Sequence, residues 1–566
     1  MPTDSSDYRS SGSDTAASEA GLLSRRTMLR LLGVAGVTAA VPATVSGEVA
    51  GIVSAATDED QRAKRLQTAF LLRKFAAREQ LLESEQVRHP TNGDEERYDS
   101  RLASYTKGLP HDELGLVDLD AYAELIAALE FDGDYSDIPL GGTRQLVNPE
   151  AGASFNLTGL DPHNVFIEAP PAFASAQTAA ETLELYWQAL LRDVPFSEFD
   201  EAPLAEEATA ELSGIDAFRG PRDDGCVTTE TLFRGELEGA LEGPYISQFF
   251  YKDIQRGVVR RNQQFSVPEP GQAFLTDFDT WLAIQNGAEP VEELAFLDAE
   301  RYMITGRDLA RWLQADSPPQ AFLNAALILL AEGVPFDDGN PYDESSVQTS
   351  FVDYGLNDIT SGVPGVVIDT MHMAWYLKWF VHRRLRPEAF GGRVHVTLTT
   401  DVDFPIDDLL LDSEALERTN ERFGSYLLPQ AYPEGAPLHP SYPSGHAVIG
   451  GACATVVKAF FDETAEFPDP VRPTDDGQDL VAIDESLTVN GELNKLVTNH
   501  TIGRNWAGIH YRASGINGWL AGEQIAINWM EDRLSAKARP SKLSVTTFGG
   551  EKITIEPSVD RREHCH

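Results

Sequence analysis

Apolar residues recur three and four positions apart in "DQRAKRLQTAFLLRKFAAREQLLE", "TAAETLELYWQALLRDV" and "PPQAFLNAALILLAE". That spacing lines them up on one face of a helix, so most of this chain must bury its core between helices. Pro/Gly loops join these segments from about Asp58 to Leu330, strand signals are sparse there, and no repeat of fixed period appears. The stretch "EGVPFDDGNPYDESS" separates this half from a second helical set beginning near Val366. In the tail, "KLSVTTFGGEKITIEPSV" alternates β-formers on either side of Gly549 and Gly550 and predicts a hairpin. The fold class is mainly α with a small C-terminal β-hairpin. Four parts are expected: residues 1–56 as a leader and linker, 57–345 as an N-terminal helical half, 346–535 as a second helical bundle, and 536–566 as the β appendage and tail.

The formal net charge of the 566-residue chain is −44, with the acidic residues spread along it rather than gathered in one tail. Duplex nucleic acid is excluded as a natural partner. A hydrated acidic surface of this kind suits concentrated salt, where screening removes self-repulsion, and points to a halophilic source. Apolar content of 42% argues against disorder. Cys226, Cys453 and Cys565 lie far apart, so neither a disulfide framework nor a cysteine zinc site is implied. Near the N-terminus, Arg25 and Arg26 precede a short, Gly/Ala-diluted apolar run in "SRRTMLRLLGVAGVTAAVPA". This is the grammar of a twin-arginine export signal, with cleavage expected near Val53 to Ala56 and an extracellular or cell-surface destination. The run is too brief for a membrane anchor, and no later segment has the length to span a bilayer.

Three segments carry candidate chemistry. "DTMHMAWYLKWFVHRRLRPEAFGG", Asp369 to Gly392, patterns as a helix ending at or just before Pro387, with Lys378, His382 and Arg386 four apart along one stripe. Alone, such a stripe is more often an exposed basic face. "HPSYPSGHA", His439 to Ala447, sets two imidazoles on either side of a proline-stiffened turn, and alone reads as readily as a surface loop. "NHTIGRNWAGIHYRASG" places Arg504 six residues before His510, a spacing common by chance. Together they supply Lys378, Arg386 and Arg504 as cations, Ser444 and the Gly445 N–H as hydrogen-bond donors, and His446 and His510 as imidazoles. That set makes a pocket for a tetrahedral or trigonal-bipyramidal oxyanion.

The three segments in this order resemble the vanadium-dependent haloperoxidases, which share their anion site with the type 2 phosphatidic-acid phosphatases. Within that superfamily the sequence looks most like the algal and cyanobacterial bromoperoxidases. "KWFVHRRLRPEAFGGRVH" and "GSYLLPQAYPEGAPLHPSYPSGHAVIGGA" carry the resemblance, with "RQLVNPEAGASFNLTGLDP", "ELYWQALLRDVPF", "GPYISQFF" and "DFDTWLAIQNG" in the first half. It extends from about residue 60 to 535. It implies the helical-bundle vanadium haloperoxidase fold, with residues 346–535 as the vanadate-binding part. It also implies oxidation of bromide or iodide by hydrogen peroxide to hypohalous acid, which halogenates an organic acceptor.

On the same resemblance His510 is the axial vanadium ligand. Lys378, Arg386, Ser444, Gly445 and Arg504 hold the vanadate oxygens, His446 is the acid/base group, and Lys378 also polarises the peroxide. His439 conditions the halide side, and Trp375, one turn before Lys378, lines it unless it only packs the core. A homo-oligomer, a dimer or larger, is expected. Calcium, which some relatives carry, is offered Asp337 and Asp338 in the acidic linker, although a solvated loop is the plainer reading of that stretch. One position departs from the family pattern: Ser514 stands where an aspartate usually follows the last histidine by four residues. Two alternatives remain in view. One is an acid phosphatase using the same pocket with His510 as nucleophile, which His439 and the eight-residue step from Lys378 to Arg386 oppose. The other is an exported oxyanion-binding protein without turnover, for which Ser514 is the support.

Overall fold

The computed structural model describes residues 59–78, 80–81, 87–130 and 133–558; the expected export signal, its cleavage region and Cys565 lie outside them. The first half contributes helices α1 (Glu59–Arg78), α2 (Leu119–Ala128), α3 (Ala176–Leu191), α4 (Pro203–Ser213), α5 (Phe278–Gln285), α6 (Gly306–Gln314) and α7 (Gln320–Glu332). The second contributes α8 (Leu356–Gly365), α9 (Val367–Tyr376), α10 (Pro387–Thr399), α11 (Glu414–Phe423), α12 (Gly445–Phe460), α13 (Val489–Trp506) and α14 (Arg512–Ser535). The second helical set thus begins ten residues earlier than the apolar pattern suggests, at Leu356 instead of Val366. Starts are marked by side chains that take up the free N–H groups of the first turn: Ser175 on Thr178, Thr305 on Asp308 in a reciprocal capping box, and Thr488 on Gly491.

Strands are short and, among the described residues, form two-stranded antiparallel sheets. Two lie in the first half, β1 (Ile254–Arg256) with β2 (Val259–Arg261) and β3 (Phe265–Pro268) with β4 (Phe296–Arg301), and β5 (Val471–Pro473) pairs with β6 (Leu480–Ala482) in the second. The tail forms the expected hairpin, β7 (Leu543–Thr546) against β8 (Lys552–Ile555), in register Leu543 to Ile555, with Gly550 at φ 80 in the turn. Among the described residues, no helix is long and apolar enough to cross a membrane.

The core is one large cluster centred on α12, α13 and α14, with a small second cluster around Phe274, Trp281 and Leu427. Two glycines set how closely α12 and α14 approach. A Cβ on Gly522 would lie 2.1 Å from the Val448 carbonyl oxygen, and one on Gly451 would lie 2.2 Å from that of Trp519. No larger residue fits either crossing without moving backbone. All 18 residues of α13 are buried, including Lys495, which pairs with Glu492 at 2.7 Å, and Asn499, whose amide bonds the backbone of Ser247 and Tyr245. Such partners offset the cost of burying these polar groups, although Thr501 and Asn505 on the same helix bury side-chain polar atoms without one. The result is a rigid base from which the N-terminus of α12 and the C-terminal ends of α9 and α13 face one pocket.

Candidate active site

The single helix expected from Asp369 to the residue before Pro387 does not form. Helix α9 passes into one π-helical stretch, Leu377–His382, and Arg383 breaks the spiral at φ 38. Outside partners replace the helical bonds from there: the Arg383 carbonyl accepts from Tyr105 N–H at 2.6 Å, the Arg384 carbonyl from Ser441 at 3.1 Å, and Leu385 N–H donates to Ala103 at 3.2 Å. Arg383 is held in this conformation by Glu95, 2.7 Å from its guanidinium. Arg386 is then extended as the N-cap of α10, as the proline after it requires. Lys378, His382 and Arg386 therefore share no stripe. Lys378 and Arg386 enter the pocket, while His382 turns away, edge-on to Tyr442 with ring centroids 4.9 Å apart.

Within the pocket Lys378 is fully buried and its Nζ donates to the Pro440 carbonyl at 2.6 Å. Arg386 donates from Nε to the His439 carbonyl at 2.9 Å and from Nη1 to the Ile509 carbonyl at 2.9 Å. The same guanidinium reaches His510 Nε2 at 2.9 Å and His439 Nδ1 at 3.0 Å. A guanidinium only donates, so His510 Nε2 presents its lone pair with the proton on Nδ1, and His439 Nδ1, which also lies 3.2 Å from the Pro440 carbonyl, accepts the shorter contact from Arg386. Arg504, in the last turn of α13, donates to the Leu313 carbonyl at 2.6 Å, leaving its buried Nε without a partner. Ser444 caps α12, where its Oγ accepts from Ala447 N–H, and its own N–H donates to the Ser514 carbonyl at 2.8 Å. Gly445 opens the helix, so its amide is among those without an intrahelical acceptor.

Charge in this pocket is unbalanced. Among the described residues no carboxylate is ion-paired with Lys378, Arg386 or Arg504, although buried cations elsewhere are, as Lys107 is to Glu388 and Arg512 to Glu184. The protonation equilibria respond. Burial, then Arg386 and Arg504, pull Lys378 well below the usual lysine range, and burial lowers Arg386 to about 9. Burial and the same three cations hold His510 and His439 neutral, far below the ordinary imidazole value. Three desolvated cations around a bare ring nitrogen and a helix N-terminus constitute an anion site.

Among the described residues, His446 is tied to a carboxylate that the other members of the set lack. Its Nε2 lies 3.1 Å from Asp316, whose second oxygen lies 3.3 Å from Nε2 of His500. Burial pushes the Asp316 carboxyl up, but hydrogen bonds from the two imidazoles outweigh it and hold the group well below the carboxylate range. Burial and Arg504 bring His446 down to about 4 against the upward pull of Asp316. The sequence carries no spacing signal for Asp316, which sits just past α6, 130 residues from its partner. His500 lies inside the third chemical segment but is assigned no role by spacing. The halide-side pair does come together: the Trp375 ring is 4.9 Å from that of His439, and its Nε1 donates to Val147. Asp337 is a structural acceptor, taking the N–H groups of Gly339 and Ser544. Neither it nor Asp338 belongs to a convergent ligand group; among the described residues that description fits Asp316, His446 and His500 alone.

Residues 362–535 match the family model for the second helical-bundle domain of VCPO. A vanadium-dependent bromoperoxidase of Ascophyllum nodosum is 36% identical over 86% of this chain and 92% of its own length, and one of Corallina pilulifera is 33% identical over 81% and 91%. The chain belongs to the vanadium-dependent bromoperoxidase family. A solved homohexameric vanadate-dependent bromoperoxidase of A. nodosum superposes with a TM-score of 0.85 at 31% identity, covering 94% of this chain and 96% of that one. The family's helical fold is thus the fold of this chain across both halves. At Ser514 the family's usual aspartate is missing, and the gap is visible: the Ser514 Oγ and His510 Nδ1 are both buried without hydrogen-bond partners.

Proposed function

We propose that this protein is a vanadate-dependent bromoperoxidase, oxidising bromide and iodide with hydrogen peroxide to hypohalous acid that halogenates organic acceptors. The observation that carries the reading is the uncompensated trio Lys378, Arg386 and Arg504 around the lone pair of His510 Nε2. A donor set with one bare imidazole nitrogen, three cations and helix-terminal N–H groups fits an oxyanion whose central atom accepts a fifth ligand. His510 would bind vanadium, and Lys378, Arg386, Arg504, Ser444 and Gly445 would hold its oxygens. When bound, vanadate supplies Lewis-acid activation of peroxide without changing oxidation state.

The chain's own contribution is electrostatic and protonic. Lys378, held by the Pro440 carbonyl, keeps a donor fixed toward the oxygen that leaves with the halogen. His446 is unprotonated near neutrality, so it takes the first proton of peroxide as a base and returns it as an acid, with Asp316 fixing the ring. His439, neutral and tilted against Trp375, gives bromide an approach that adds no imidazolium beside Lys378. Export by a twin-arginine route is proposed from Arg25 and Arg26, and a homo-oligomer from the homohexameric relative.

The test is peroxide-dependent bromination of a phenolic dye in concentrated salt, with and without orthovanadate and with phosphate as competitor. Vanadate-dependent, phosphate-suppressed bromination is expected. Hydrolysis of a phosphate ester, inhibited by vanadate and with no bromination, would overturn the reading in favour of a phosphatase.

A further inference from the structure

Asp316, His446 and His500 pose a question of proton accounting that acid/base catalysis leaves open. His500 Nδ1 lies 3.0 Å from the carbonyl of His446, and a carbonyl only accepts, so that nitrogen carries the proton. A neutral ring would then turn the lone pair of Nε2 toward the ionised Asp316 at 3.3 Å. Lone pair would face lone pair. A metal ion between the three groups would take up both lone pairs, at a ring whose side chain has no exposure.

We propose that Asp316, His446 and His500 form an inhibitory site for a divalent transition-metal ion of the zinc class. The donor atoms lie within 4.8 Å of one another. The two oxygen-to-nitrogen separations, 3.1 and 3.3 Å, run to different oxygens of Asp316, so the carboxylate lies between the two rings with one oxygen toward each. Each ligand comes from a fixed place: the end of α6, the first turn of α12 and the middle of α13. The His500 contact to a backbone carbonyl is the second hydrogen bond that metal-binding histidines characteristically make, and Phe322 packs edge-on to the ring at 5.2 Å. His446 is 24% exposed at its side chain, so the site is open to solvent on that side.

Binding balances as follows. The metal accepts lone pairs from one Asp316 oxygen and two Nε2 atoms, His500 keeping its proton on Nδ1 and the His446 proton moving from Nε2 to Nδ1. Nothing is oxidised or reduced. His446 is then fixed as an Nδ1–H donor and no longer accepts a proton, so turnover stops while the anion pocket stays intact. That consequence rests on the bromoperoxidase reading; the site itself does not. Arg504 opposes a second cation nearby, and a bound anion offsets it, so the ion is expected to bind more tightly to vanadate-loaded protein.

The experiment titrates the full chain, vanadate-free and vanadate-loaded, with cobalt(II) as a spectroscopic probe and with zinc(II). The expected result is one intense, tetrahedral-type visible band at one ion per chain, and zinc inhibition of bromination that chelator reverses. His500→Gln, which keeps an N–H toward Asp316, is expected to weaken zinc sensitivity at least tenfold relative to its own zinc-free rate. Only weak octahedral cobalt absorption from surface carboxylates, in both forms, would overturn the proposal, as would unchanged zinc sensitivity in the folded His500→Gln variant. Should that variant not fold, the cobalt band and its one-to-one end point on the natural chain decide alone. Because they need no turnover, a failed bromination assay leaves them readable.

Discussion

Two side chains four residues apart, His510 and Ser514, each bury a polar atom that nothing in the fold satisfies. A carboxylate at 514 would accept from His510 Nδ1, fix the ring and raise the basicity of Nε2, as carboxylates behind metal-bound histidines do. Ser514→Asp is therefore expected to tighten vanadate binding roughly tenfold, measured by equilibrium dialysis; unchanged affinity would mean that another group already serves Nδ1. On the opposite side of Arg386, His439 accepts a hydrogen bond without contacting His510. His439→Ala is expected to retain vanadate while lowering bromide oxidation more than iodide oxidation. Equal losses for both halides would remove its halide role. Residue identities in this pocket were legible in the sequence because each belongs to a short segment with its own spacing. Asp316 was not, because a lone aspartate in "QADSPPQ" becomes a partner of His446 only through the packing of α6 on α13.

The elements that aim these groups are where local pattern and tertiary structure part. Apolar spacing through Asp369 to Arg386 reads as one helix, yet the chain abandons it at Arg383, because backbone groups of residues 103, 105 and 441 offer better-placed partners than the next helical turn. Propensity could not weigh bonds to segments 280 residues away. A second support is equally remote: Lys107 pairs with buried Glu388 at the start of α10 and donates to the carbonyls of Glu434 and Ala436, at the foot of the loop leading to His439. Removing one partner leaves the other's charge buried and alone. Lys107→Met is expected to destabilise the fold by about 3–5 kcal/mol in denaturant unfolding. A loss within about 0.5 kcal/mol, the range of an ordinary surface change, would show that this ion pair does not hold the loop. The helical class, by contrast, and the terminal hairpin at Gly549 and Gly550 were readable, since period and turn chemistry are local properties.

For the molecule as a whole, an acidic surface surrounds a core that excludes charge from several histidines. Burial lowers His111 to about 4 and His382 to about 3. Their unfolded values lie near 6.5, so the unfolded chain binds more protons between those limits, and stability present above about pH 6.5 is lost as pH falls toward the folded values. At about pH 5 each ring is expected to cost about 2 kcal/mol. Thermal unfolding in constant high salt, which screens the surface charge, should show a lower Tm at about pH 5 than at about pH 7; a flat Tm across that window would contradict the buried, neutral assignment. Charge also frames the central claim, since a chain of net charge −44 gathers three unpaired cations at one point. The most direct measurement is anomalous diffraction at the vanadium edge from vanadate-soaked crystals of the protein and of His510→Ala. The account predicts a single vanadium peak at His510 Nε2, between Lys378, Arg386 and Arg504, that vanishes in the variant. A vanadium peak elsewhere, or one that persists without His510, would contradict it.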